Sequence, residues 1–142
     1  MLRPRSAEAE WKGNLQDGEG TMSVASAAFE TSYSAKTRFE DEPGSNPEEL
    51  IAAAHAGCFS MAFANMLSEA GHQPESVRTT AHVRLEMRDE GPTITRSDLE
   101  TEVSVEGIDD EEFQRIAEQA KEGCPVSGAL GAIELGVEAR LA

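Results

Sequence analysis

Two cysteines with contrasting surroundings dominate the chemistry available to this chain. Cys58 lies inside an apolar run of helical character, and Cys124 stands between Gly123 and Pro125 in a turn. Burial raises the pKa of a thiol in an apolar helix, which stays inert unless a cation stabilises the thiolate. A thiol near a helix N-terminus is favoured as thiolate by the helix dipole. If the two meet, one can be oxidised and the other can resolve it. They lie 66 residues apart, so tertiary structure must bring their Cα atoms within about 7 Å. His55 precedes Cys58 by three residues, a spacing that metal ligands use. With three His and two Cys in the chain, a closed zinc site has few further ligands. No metal or cofactor is expected, and His55 reads as a helix or interface residue.

The elements that must position these groups follow from local chemistry. Ala9–Gly13, Thr21–Phe29 and Ser32–Phe39 are β-compatible, separated by glycine-rich turns, and Glu40–Asn46 is a loop. Asn46-Pro47-Glu48-Glu49 is a helix start, with Asn46 as N-cap, Pro47 at N1 and Glu49 at N3 completing a capping box. The helix runs to Gly71, a C′ glycine, and is apolar or small on nearly all faces between Ala52 and Ala64. Such a helix is expected to be buried on most sides. Val77–Arg88 and Thr93–Val105 alternate and form a hairpin across Asp89-Glu90-Gly91-Pro92. Asp109 caps a second helix with a buried stripe of Phe113, Ile116, Ala117 and Ala120, Pro125 opens a short third one, and Ile133–Leu141 closes as a strand. The result is a single α+β domain over residues 1–142.

Composition narrows the partners. Twenty-seven acids oppose twelve bases for a net charge of −15. A surface this acidic repels phosphate backbones and anionic membranes, so neither nucleic acid nor membrane is an expected partner. No continuous apolar run is read as long enough to span a bilayer. Met1–Glu10 holds Arg3 and Arg5 but no apolar stretch, so no secretory leader is expected. The expected location is the reducing cytoplasm, where a disulfide is transient rather than structural.

The run Asn46-Pro47-Glu48-Glu49-Leu50-Ile51-Ala52-Ala53-Ala54-His55-Ala56-Gly57-Cys58-Phe59-Ser60-Met61-Ala62 resembles the signature of the OsmC/Ohr family of osmotically inducible and organic hydroperoxide resistance proteins. Gly123-Cys124-Pro125-Val126-Ser127 resembles that family's second cysteine motif. Trp11-Lys12-Gly13 and Thr37-Arg38-Phe39-Glu40 resemble its OsmC branch, and the likeness covers nearly the whole chain. The resemblance implies antiparallel sheets around a long buried central helix, an intertwined homodimer with sites at the interface, and a thiol peroxidase acting on hydroperoxides. It maps the reactive cysteine onto Cys58, the resolving cysteine onto Cys124, and an arginine–glutamate pair onto Arg38 and Glu48. With Glu49 occupied by its own helix start, Glu48 is free to hold the Arg38 guanidinium in a bidentate pair. Ten helical residues from Glu48 to Cys58 span about 15 Å. Arg38 bridges part of that gap, the helix is interrupted, or the pair comes from a second subunit.

The implied cycle starts with a Cys58 thiolate stabilised by Arg38. It attacks the distal oxygen of ROOH to give Cys58 sulfenic acid and an alcohol. Cys124 condenses with the sulfenate to a disulfide, which a dithiol reductant reopens. For the family, that reductant is a lipoylated protein. Phe59, Met61 and Phe63 flank the thiol and would supply an apolar wall for the peroxide, or equally pack in the core. The alternative is a non-catalytic stress-binding or redox-sensing protein of the same fold, in which the cysteines oxidise once without turnover.

Overall fold

Turn residues punctuate the start of the chain into three short antiparallel strands, β1 (Ala7–Lys12), β2 (Glu19–Val24) and β3 (Glu30–Tyr33), ordered β1-β2-β3. Gly20 of β2 pairs with Trp11 on one side and Tyr33 on the other. A Cβ there would come within 2.6 Å of the Tyr33 ring and 2.8 Å of the Trp11 ring. Only glycine lets those rings close to 5.4 Å between centroids across the middle strand. The computed structural model describes residues 1–142 and divides them into two units, Met1–Leu50 and Ile51–Ala142.

The expected strand Ser32–Phe39 is interrupted. β3 stops at Tyr33, and Ala35–Phe39 forms a short helix, α1. Ser34 turns the chain: its hydroxyl accepts from Thr37 N–H at 3.2 Å while the Thr37 hydroxyl accepts from Ser34 N–H at 2.8 Å. This reciprocal capping outweighs the β-propensity of the segment, and it places Arg38 on a helix.

α2 (Pro47–Glu69) begins as expected at Asn46, whose Oδ1 accepts from Glu49 N–H at 2.8 Å. Its Nδ2 donates to Thr37 O at 3.0 Å and so ties α1 to the start of α2. Glu49 does not close a capping box; its carboxylate accepts from the Ser45 hydroxyl at 2.9 Å. At the other end Gly71, with φ +91°, completes a Schellman turn in which His72 N–H donates to Leu67 O and Gly71 N–H to Ser68 O. By length and composition alone α2 is long and apolar enough to cross a membrane, contrary to the sequence reading. Its burial is also narrower than expected. His55, Phe59, Phe63 and Leu67, four residues apart, are wholly buried, whereas Ala53, Gly57, Met61 and Asn65 form an exposed opposite face.

In the second unit, β4 (Ser76–Arg88) and β5 (Gly91–Ser104) form the expected hairpin, with a turn tightened to Asp89-Glu90. A bulge at Arg84/Leu85 leaves Thr95 outside the register, and its buried hydroxyl has no partner. α3 (Asp110–Gly123) starts from Asp109, whose carboxylate accepts from Glu112 N–H at 2.8 Å. α4 (Pro125–Ala129) follows directly, and β6 (Glu134–Leu141) completes the sheet in the order β4-β5-β6. β6 runs parallel to β5, so this sheet is mixed rather than antiparallel. The physical reason is the connection: α3 and α4 carry the chain back across the sheet, which a hairpin cannot do. Phe59, Phe63 and Leu67 of α2 pack with Leu99 and Val103 of β5, with Phe113, Ile116, Ala117 and Ala120 of α3, and with Cys124.

Candidate active site

The fold brings the two thiols together. Cys58 on α2 and Cys124, which ends α3 and caps α4, are both free, with their Sγ atoms 3.1 Å apart. Closure to a disulfide needs about 1 Å of further approach, given an S–S bond of about 2.05 Å. Their exposures differ: Cys58 is half-buried and Cys124 is 1% exposed.

Their acidities differ in the opposite sense. Burial pushes the Cys58 thiol up; a hydrogen bond from the backbone of Val126 works against this, and the neighbouring Cys124 sulfur adds to it. Burial also acts to raise Cys124, but the Ser127 hydroxyl, Cys58 and the backbone N–H groups of Ser127 and Val126 outweigh it, so its thiol falls below the ordinary value. The hydrogen bonds around the pair thus favour the thiolate more at Cys124 than at Cys58. Ser127 supplies the largest share, its N–H lying 3.4 Å and its hydroxyl 3.5 Å from Cys124 Sγ.

Arg38 and Glu48 meet within the first unit. Arg38 Nε is 3.2 Å from each Glu48 carboxylate oxygen, and Nη2 is 2.6 Å from Oε1. Glu48 is buried and Arg38 only partly so, with side-chain exposures of 9% and 34%. The guanidinium also lies 5.6 Å from the centroid of the Phe39 ring, within cation–π range. α2 is unbroken from Pro47 to Glu69, which removes an interrupted helix as the link between Glu48 and Cys58.

The remaining expected site residues do not share a wall. Phe59 and Phe63 are fully buried and stack through the core, Phe59 on Phe63 at 5.5 Å and Phe63 on Phe113 at 5.3 Å between centroids. Met61 points the other way and is 77% exposed. Residues two apart on a helix face opposite sides, so the three cannot line one surface. His55, read as a helix or interface residue, lies on α2 and is wholly buried, with both ring nitrogens against hydroxyls: Nδ1 is 2.6 Å from Ser97 Oγ and Nε2 is 2.9 Å from Ser127 Oγ. Burial lowers its pKa and keeps the imidazole neutral. Ser97 carries no local sequence signal. Ser127 does, standing three residues after a cysteine that precedes Pro125, as a capped first turn requires.

A long helix beside a three-stranded mixed sheet, with a helix-borne thiol against a turn-borne one, defines an OsmC/Ohr-type thiol protein. The model of the family described as OsmC-like protein matches residues 39–138, and the chain belongs to this family. It is 50% identical over 133 residues to peroxiredoxin OsmC of Escherichia coli (strain K12), covering 93% of each chain. An OsmC-like protein of Vibrio cholerae shares the fold with a TM-score of 0.77 at 18% identity, over 98% of this chain and 100% of that one. The organic hydroperoxide resistance protein OhrB of Bacillus subtilis does so at 0.72 and 23% identity, over 95% and 98%.

Proposed function

We propose that this protein is a two-cysteine thiol peroxidase that reduces organic hydroperoxides to alcohols. The observation that carries the reading is the pair of free thiols 3.1 Å apart, one reachable and one buried. Membership of the family, and a relative named peroxiredoxin at 50% identity, support it. Cys58 is the peroxidatic residue because a hydroperoxide must reach the sulfur it oxidises. The Cys58 thiolate attacks the distal oxygen and the O–O bond breaks. The departing alkoxide takes a proton, leaving Cys58–SOH and an alcohol. Cys124 then displaces hydroxide, which leaves as water, and the Cys58–Cys124 disulfide is reopened by a dithiol such as a lipoylated protein.

Burial holds the Cys58 thiol up, and a thiolate there needs a cation. We propose Arg38, aimed by Glu48, as that cation, and a second copy of the chain as its source. Two features support a homodimer. Glu48 and Cys58 lie ten residues apart on one unbroken helix, about 15 Å along its axis. The exposed face of that helix is also apolar or small at Ala53, Ala54, Gly57 and Met61. The cytoplasm suits a protein that needs its cysteines returned to thiols.

The test is consumption of cumene hydroperoxide with dihydrolipoamide, in the parent and in Cys58→Ser. Sustained turnover abolished by the substitution is expected. After one equivalent of peroxide, Cys124→Ser should retain a dimedone-trappable sulfenate on Cys58, and Cys58→Ser should trap none. A parent that consumes a single equivalent and stops is a sensor, and labelling of Cys124 in Cys58→Ser reverses the roles.

A further inference from the structure

We infer that Ser97, His55 and Ser127 form a directed hydroxyl–imidazole–hydroxyl chain that holds Cys124 ready to close the disulfide. Ser127 touches the reacting sulfur, and His55 is a positioning residue that acts through Ser127. The inference rests on the peroxidase reading for the step it serves, and on the geometry for the chain itself.

Three polar side chains are buried side by side here, with exposures of 0% for His55 and Ser97 and 3% for Ser127. Burying such groups is costly unless each finds a partner. They come from α2, β5 and α4, positions separated by 42 and 72 residues, and they meet atom to atom. The series runs Ser97 Oγ to His55 Nδ1 at 2.6 Å, His55 Nε2 to Ser127 Oγ at 2.9 Å, and Ser127 Oγ to Cys124 Sγ at 3.5 Å. Its last member is a reactive sulfur rather than a backbone carbonyl.

The proton count sets the direction. Serine has one hydroxyl hydrogen, and a neutral imidazole carries one N–H. Ser127 donates its hydrogen to Cys124 Sγ, so its oxygen must accept from His55 Nε2–H. His55 Nδ1 is then bare and accepts from the Ser97 hydroxyl. In the reverse order Nε2 would consume the Ser127 hydrogen and leave the sulfur without a hydroxyl donor. Burial keeps His55 neutral, as this arrangement requires. Each bond polarises the next, so the Ser127 hydroxyl is a better donor than an isolated serine.

Two donors from one residue, the hydroxyl and the N–H of Ser127, therefore converge on Cys124 Sγ. They favour the thiolate and aim it at Cys58. In the condensation a Cys124 sulfur lone pair forms the S–S bond as the S–O bond of Cys58 sulfenic acid breaks. The electron pair of the S–O bond departs with hydroxide. The hydroxide becomes water with a proton from solvent, or from Cys124 itself where that sulfur is still a thiol, so His55 keeps its protonation state throughout.

The test uses the full chain and two readouts. In a Cys58→Ser background, which removes the titratable group facing Cys124, the ultraviolet thiolate absorbance of Cys124 is titrated with and without Ser127→Ala or His55→Gln. Both substitutions should move that titration to higher pH. With Cys58 restored, one equivalent of cumene hydroperoxide is added and dimedone traps the surviving sulfenate. Loss of a hydrogen bond to charged sulfur should slow condensation about tenfold, while sulfenate formation stays within about twofold. Ser127→Thr, which keeps a hydroxyl, should recover part of both effects. If His55→Gln does not fold, the small change Ser127→Ala decides. An unmoved titration and unslowed condensation in folded Ser127→Ala overturn the inference. The titration needs no peroxide, so a failed peroxidase reading leaves it interpretable, and intact turnover with an unmoved titration sinks this inference alone.

Discussion

Converting Glu48 to glutamine isolates the role of the arginine–glutamate pair, because it removes charge while keeping shape. The carboxylate now accepts Arg38 Nε at 3.2 Å on each oxygen and Nη2 at 2.6 Å. An amide offers one oxygen, and its NH2 would face a guanidinium N–H, donor against donor. One charge-assisted contact, worth about 1.5–3 kcal/mol, is lost, and the other weakens from an ion pair to a bond between the Arg38 cation and an amide oxygen. Arg38 is 34% exposed and can turn toward water, which keeps the stability loss near the low end, about 1.5–2 kcal/mol. The kinetic effect should be larger. Misplacement of a catalytic group by about 1 Å costs on the order of 100-fold. Glu48→Gln should therefore lower kcat/KM for cumene hydroperoxide about 10- to 100-fold, or about 1.4–2.7 kcal/mol. Arg38→Lys should do the same, since it restores the charge without the fork. A double-mutant cycle with Arg38→Ala, read by urea unfolding and by kcat/KM, separates pairing from independent effects. A folded Glu48→Gln protein whose kcat/KM stays within about twofold, or strict additivity in the cycle, would refute the proposal that Glu48 aims Arg38.

Other expectations follow from packing. Light scattering should give twice the 15.2 kDa chain mass, and Met61→Glu on the exposed face of α2 should yield monomers; a parent that runs as an active monomer defeats the shared site. Phe63→Ala removes a ring wedged between Phe59 and Phe113 and should cost about 3–5 kcal/mol in urea unfolding; a loss below about 1 kcal/mol would show that Phe63 is not part of the close-packed core. Thr95→Val replaces a buried hydroxyl that has no partner and should stabilise the fold by about 1 kcal/mol. A destabilised Thr95→Val protein would mean that the hydroxyl is satisfied in solution.

What could be read from the sequence was whatever depends on near neighbours. Asn46 as a cap, Gly71 as a terminator, the alternation of β4 and β5 and the stripe on α3 are all set within a few residues. The same local rules contain the Ser34–Thr37 capping pair that makes Ala35–Phe39 a helix, which reading Ser32–Phe39 by β-propensity alone misses. Helical geometry also forbids Phe59, Met61 and Phe63 from sharing a face, so that wall was refutable without coordinates. The parallel pairing of β6 was not legible, because strand direction depends on the path of the connection. Nor was the link from His55 to Ser97 and Ser127, which joins three distant elements; Ser127 has a capping pattern, but nothing local ties it or Ser97 to His55. Cys58 and Cys124 were visible because cysteine is scarce, but their separation required the fold.

The parallel pairing of β5 with β6 has a consequence for synthesis. β4 and β5 form a hairpin as soon as both have emerged, but the third strand lies beyond α3 and α4. During translation, at about 5–20 residues per second, Phe59, Phe63 and Leu67 are therefore made before the helix that covers them. Cys58 spends the same interval without its partner thiol. A nascent chain in this state presents apolar side chains and a lone thiol together. The interval lengthens with every slow codon between β5 and α4.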